Sequence, residues 1–209
     1  NTDHQKNVIE NIDQVIHLNT YLNQHEWVVK YKRGNIASDL NVKLDSLKHE
    51  VSELMKIRLD INNQYPSLAV GATIMQPHRD QLNNAIALSF NEMLNDNAQI
   101  NNPEQFRLLI KVRHLWTQAL SNSRLYLANR VGSFNKESLP VQEKGIETII
   151  KELEKSLIKL KEFGTAGKLG FETTEAVDTM SVSLKGWFEG FKQVKIINHS
   201  DEWRQDAKI

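Results

Sequence analysis

Residues 40–65 read LNVKLDSLKHEVSELMKIRLDINNQY, and one stripe of positions in them steps by four and three without a break. Its members are Leu40, Leu44, Leu47, Val51, Leu54, Arg58, Ile61 and Tyr65, with Arg58 the one charged residue. That spacing belongs to a helix laid along another helix, because it keeps a single face turned toward the neighbour. A strand would need alternation at period two, and no stretch alternates for long. The expected fold class is therefore all-α, with more than roughly 70% helix and no sheet.

Outward from this segment the same pattern recurs. Val8, Ile12, Val15, Leu22 and Val29 predict a first helix over residues 8–32, with Asn19 and Glu26 in the same seam and a stop at Gly34 and Asn35. Pro66 ends the 40–65 helix, and residues 67–76 (SLAVGATIMQ) read as an apolar connector that packs. Pro77 suits the first turn of a third helix carrying Leu82, Ile86, Phe90 and Met93, which frays in Asn95, Asp96 and Asn97. Asn102-Pro103-Glu104 supplies a cap, a first-turn proline and a first-turn acid for a fourth helix reaching Val131 and stopping at Gly132. Ser138-Leu139-Pro140 opens a fifth, with Ile146, Ile149, Leu153, Leu157 and Leu160 as its seam. Gly164, Gly167 and Gly170 interrupt the pattern. Thr173 and Thr174, with Glu172 and Glu175, then cap a sixth helix through Val177, Met180, Leu184, Trp187, Phe188, Phe191 and Val194 toward Trp203. Helices of about 25–30 residues are roughly 40 Å long. The expected architecture is an elongated antiparallel bundle of about six long helices, or two stacked four-helix modules.

Composition narrows the function classes. Lys+Arg and Asp+Glu both total 26, so the net charge is zero, and no Lys/Arg cluster is interleaved with aromatics. Nucleic acid is an unsuitable partner. Cysteine is absent, which removes thiolate metal sites and cysteine nucleophiles. No apolar run reaches the ~18 residues of a membrane span. Neither a phosphate-cradling glycine loop nor a nucleophile elbow nor a zincin pair occurs. The seven histidines (4, 17, 25, 49, 78, 114, 199) form no i,i+4 pair and read as surface residues. No catalytic residue, metal ligand or cofactor is expected. The chain starts at Asn1 without Met and ends in helix-compatible sequence, so it reads as one domain, residues 1–209, excised from a longer protein.

The fourth helix carries the candidate site. Phe106, Leu109, Ile110, Arg113, Trp116, Leu120, Arg124, Leu127 and Val131 fall along one stripe, which places Arg113 and Arg124 on a packed face. Tyr126, Asn129 and Arg130 run beside them. A charge on such a face is costly unless it is answered. Two readings follow. Each arginine, Arg58 included, pairs with a seam carboxylate such as Glu26 or snorkels; or guanidinium forks grip a small anion between helices, with Trp116 or Tyr126 as a wall. The candidate ligand-binding residues are Arg58, Arg113, Trp116, Arg124, Tyr126 and Arg130. The basic stretch Tyr31-Lys32-Arg33 reads as a solvated helix end, and Trp203-Arg204 as a candidate headgroup anchor.

The whole pattern resembles the periplasmic sensor domains of bacterial transmembrane receptors: sensor histidine kinases of two-component systems, chemoreceptors and diguanylate cyclases. The six-helix count is most similar to their helical bimodular class. The segment from Arg113-His114-Leu115-Trp116 to Arg124-Leu125-Tyr126-Leu127-Ala128-Asn129-Arg130-Val131-Gly132-Ser133-Phe134 carries the sequence likeness. The resemblance implies a small anionic or organic-acid ligand bound between helices, a homodimer in the intact receptor, and flanking transmembrane helices that transmit a helix displacement. The chain lacks the consecutive seam arginines in its first helix that nitrate-type sensors would lead one to expect.

Overall fold

The computed structural model describes residues 2–26, 29, 34–133 and 137–208. Of these 91% are helical, and no strand occurs among them. The chain divides into two compact units, Asn1–Gln64 with Arg204–Ile209, and Tyr65–Trp203. Six long helices account for most of it.

The first unit is an antiparallel hairpin of α1 (Thr2–Asn23) and α2 (Gly34–Leu59). Asn19 Nδ2 donates to Asn41 Oδ1 at 2.7 Å, and Lys48 bonds Asp13, which fixes the register. The face α1 turns to α2 is Ile9, Ile12, Ile16 and Asn19, and α2 answers with Asn41, Leu44, Lys48, Val51 and Met55. This shifts the expected seam. Val8, Val15 and Leu22, like Leu40 and Leu47, sit one position aside and stay exposed. Both stripes contain Ile12 and Asn19, so apolar spacing does not choose between them. The amide pair does, because a half-buried asparagine needs a partner of its own kind. Glu26 is exposed, and residues 31–33 lie outside the described ones. The 40–65 helix breaks at Asp60, whose carboxylate accepts the Asn62 N–H at 2.9 Å and starts the separate turn Ile61–Gln64.

The second unit is an up-down-up-down four-helix bundle. The expected connector is itself helical: Pro66–Val70 leads into a π-helical turn, Gly71–Met75, and then into α3 (Gln76–Asn95). The Gln76 N–H reaches back five residues to the Gly71 carbonyl. Pro77 has no N–H to give and crowds the carbonyl four residues before it, so the widened turn absorbs the proline that would otherwise kink the rod. Asn97 at φ 52° closes α3. Then come α4 (Pro103–Ser133), α5 (Leu139–Thr165) and α6 (Phe171–His199). Phe134 lies outside the described residues. Of the expected α5 seam, Ile146, Leu153, Leu157 and Leu160 are buried, while Ile149 is half-buried and its neighbour Ile150 takes the interior. Helix α6 stops at His199 rather than running to Trp203, which sits in a short 3-10 turn, Asp201–Trp203.

The start of α6 is capped from another helix. Its N-cap is Gly170, not a threonine. Glu92 of α3 accepts the Glu172 and Thr173 N–H groups at 3.1 and 2.6 Å. Burial works against the ionised Glu92, but donors from residues 173 and 172 outweigh it and hold the carboxyl below its ordinary range. A Cβ at Gly170 would fall 2.3 Å from that carboxylate. Glu92→Ala and Gly170→Ala should each cost about 1 kcal/mol in urea unfolding of the whole chain, the usual value of a cap. An unchanged midpoint in both would refute the inter-helix cap.

Candidate functional site

The buried stripe of α4 is Gln105, Leu109, Val112, Trp116, Ala119, Ser123, Tyr126 and Arg130, stepping by four and three to its end. It lies one position away from the expected stripe. Arg113 and Arg124 are consequently exposed on its flank rather than inward-facing, and the interior guanidinium is Arg130, 1% exposed. The physical reason is size. Val112, Ala119 and Ser123 are small enough for α4 to approach its neighbours closely, while the larger Leu120 and Leu127 pack at the edge.

Arg130 is held by a backbone carbonyl and an aromatic face. Its Nε donates to the Asn198 carbonyl at 3.1 Å, and its guanidinium carbon lies 3.6 Å from the centre of the Trp203 ring. Burial weakens its charged form. Beside it, the Tyr126 hydroxyl donates to Glu143 Oε1 at 2.9 Å, and His199 Nε2 meets the same oxygen at 2.7 Å. Burial, reinforced by Glu143 and opposed by Asn198 and Arg130, pushes the Tyr126 hydroxyl well above its ordinary range. This cluster ties the last turn of α6 to α4 and α5. The Trp203 ring is also 6.2 Å from Tyr65, so it is engaged within the fold instead of standing free as an anchor.

Arg113 and Trp116 line one cleft of about 380 Å³ between α3 and α4, with Asn83, Phe90 and Asn91. Arg113 lies over the Phe90 ring at 5.5 Å, and the Trp116 indole donates to Asn83 at 2.8 Å. Arg124 opens onto a second cavity, about 230 Å³, together with Arg79, Ser123, Gly71, Met75 and Trp187. Arg79 pairs with Asp80 at 2.9 Å. Among the described residues no carboxylate pairs with Arg124 or Arg113. The π turn forms one edge of the Arg124 cavity, and Gly190 lets α6 close on that turn: a Cβ there would meet Met75 Cγ at 2.7 Å. Arg79, the π turn and Gly190 escaped the sequence reading. The Pro77 that demands a wider turn was the available signal.

Arg58 belongs to neither cavity. It donates from Nε to Asp206 at 3.0 Å; Gln64 donates to the same oxygen at 3.0 Å, and Arg204 grips the carboxylate as well. These bonds clasp the C-terminal turn Gln205–Ala207 to the end of α2. Among the described residues no group of three or more His, Asp or Glu could hold a metal ion, and no helix is long and apolar enough to cross a membrane. No protein family matches the chain, nor does any curated protein or solved structure.

Two outcomes test these placements. Arg204, then Arg58, against the opposing cost of burial, lowers the Asp206 carboxyl from 3.8 to about 2. The clasp therefore contributes fully above about pH 4 and is lost as pH falls through about 2. Asp206→Asn should raise amide exchange in the C-terminal turn at neutral pH, and exchange equal to wild type would dismiss the clasp. Arg130→Ala should destabilise by about 3 kcal/mol, as truncation of a buried, bonded charge does, whereas Arg113→Ala should stay within about 0.5 kcal/mol. Equal costs would contradict the placement of the two residues.

Proposed function

We propose that this chain is a non-enzymatic ligand-sensing domain of a bacterial transmembrane signal receptor, placed outside the cytoplasm and binding a small anion or organic acid between helices. The observation that carries this reading is the pair of guanidinium groups, Arg79 and Arg124, on one cavity floored by Trp187 and edged by the π turn. A guanidinium fork suits a carboxylate or oxyanion, and the apolar floor suits the carbon body of an organic acid. The likeness of residues 113–134 to receptor sensor segments and the cysteine-free composition support the cellular setting.

The mechanism follows from the turn. A π turn and an α turn differ by one residue of register, so a ligand that favours one arrangement shifts α3 along its axis. Gly190 seats α6 directly on Met75, and the shift is handed to α6. The second reading, a helical interaction bundle with no small ligand, is favoured by the exposed apolar residues of the α1–α2 hairpin.

A thermal-shift panel of mono- and dicarboxylates, phosphate and sulfate separates the two. At least one anion should raise the melting temperature of the wild type. Arg124→Ala should abolish that rise while leaving the ligand-free melting temperature within about 2 °C, as for a surface substitution. No response to any anion would leave the interaction bundle as the better reading.

A further inference from the structure

We infer that the α3–α4 side of the four-helix unit is a docking groove for an acidic amphipathic helix of a partner protein. The Arg124 and Arg113 cavities both open on this side, each with α3 residues on one wall and α4 residues on the other. Residues 71–79 face 120–127 in the first, and 83–91 face 113–117 in the second. The two cavities therefore follow one another along a single antiparallel seam. Phe90 and Phe106 meet edge to face at 5.8 Å and close one end, and the π turn edges the other. Along the seam α3 presents exposed Asn83 and Ala87, which are too small to fill the space above Trp116.

Charge and length select the partner. Arg113 and Arg124 stand on the α4 wall, eleven residues or about 16 Å apart. Among the described residues neither has a carboxylate partner, and Arg79 on the facing wall adds a third guanidinium, tied to Asp80. No small anion answers two arginines 16 Å apart at once. Two carboxylates of one helix do, at positions about eleven apart, because a helix laid along α4 climbs at the same rate. Apolar residues between those acids, at steps of three and four, meet half-buried Leu120 and Leu127. From Phe106 to Leu127 the seam is about 30 Å long and takes about twenty residues. An extended strand finds no footing here, since both walls are helices whose backbone groups are already bonded; a groove between helices takes a helix. One end of the groove is the cavity proposed to hold a small anion, so the two ligands compete there. The docking needs Arg113 as well, and stands or falls apart from that reading.

Selection of random peptides about twenty residues long from a display library on the full chain, with Arg113→Glu as the counter-target, tests this. Binders should emerge with Asp or Glu at two positions about eleven apart and apolar residues at helical steps between them. Such a peptide, synthesised and titrated by calorimetry, should bind Arg113→Glu and Arg124→Glu at least about tenfold more weakly than wild type. Lysine in place of the matching peptide acid should restore binding to Arg113→Glu, the sign of a pair made across the interface. Ala87→Trp fills the groove and leaves every charge in place. It should weaken the peptide as much, with the melting response to small anions unchanged. Lys185→Glu, on the exposed face of α6, should leave peptide binding intact. Arg113, Arg124 and Ala87 are all exposed, and wild-type helicity by circular dichroism identifies their variants as folded. No enrichment, a selected consensus without acids, or binders indifferent to Arg113→Glu and Ala87→Trp overturns the inference.

Discussion

Trp116 and Trp187 meet edge to face at 5.2 Å across the diagonal of the four-helix unit, and Phe191 stacks on Trp187 at 5.9 Å. Tyr126 then meets Phe191 at 5.5 Å. Rings of this size leave little room for adjustment in a packed interior. Once α4 and α6 are locked by them, the stripe of α4 is committed to Leu109, Val112, Trp116, Ala119, Ser123, Tyr126 and Arg130. Arg130 is buried because it follows Tyr126 by four residues. Arg113 and Arg124 are at the edges because each directly follows a stripe residue, Val112 and Ser123, and so sits about 100° further round the helix. The positions of all three arginines are consequences of aromatic packing.

The fold was legible wherever one apolar stripe stood alone. The α5 seam had little competition: four of its five residues are buried, and only Ile149 yields its place to Ile150. Helix ends marked by Pro103, Pro140 and the glycines near residue 167 were legible too, since they rest on local backbone chemistry. Illegibility began where two stripes shared a helix. On α4 the bulkier stripe, with Leu120 and Leu127, competed with the one holding Val112 and Ala119, and large residues carry more weight in a sequence reading than small ones. The decision belongs to the neighbours, because small residues let helices approach and so earn the interior. On α1 and α2 the asparagine pair decided, and a hydrogen bond between residues 19 and 41 leaves no periodic trace.

The candidate site divided in the same way. The six candidate residues are distributed over an interior cluster, two cavities and a clasp. Tyr126 meets Glu143, 17 residues on, His199 meets the same carboxylate, and Arg130 meets the Asn198 carbonyl, 68 residues on. Glu92 as the cap of α6 is another long-range assignment, 80 residues from the N–H groups it serves. Residue type predicted that the arginines would be answered, but not by what: a carbonyl and an indole face for Arg130, a tail carboxylate for Arg58.

That difference bears on which arginines remain available. Arg130 and Arg58 are each engaged by groups of the protein itself, so an incoming anion would have to displace a bond already made, at the cost of leaving a buried partner unsatisfied. Arg124 and Arg113 stand in water beside concave surfaces, where a ligand replaces only solvent. Burial thus takes a guanidinium out of reach of a ligand instead of preparing it for one. The buried charge is spoken for because it is buried, and the proposed anion site draws instead on a charge that packing left outside, Arg124, beside a cavity edged by the π turn.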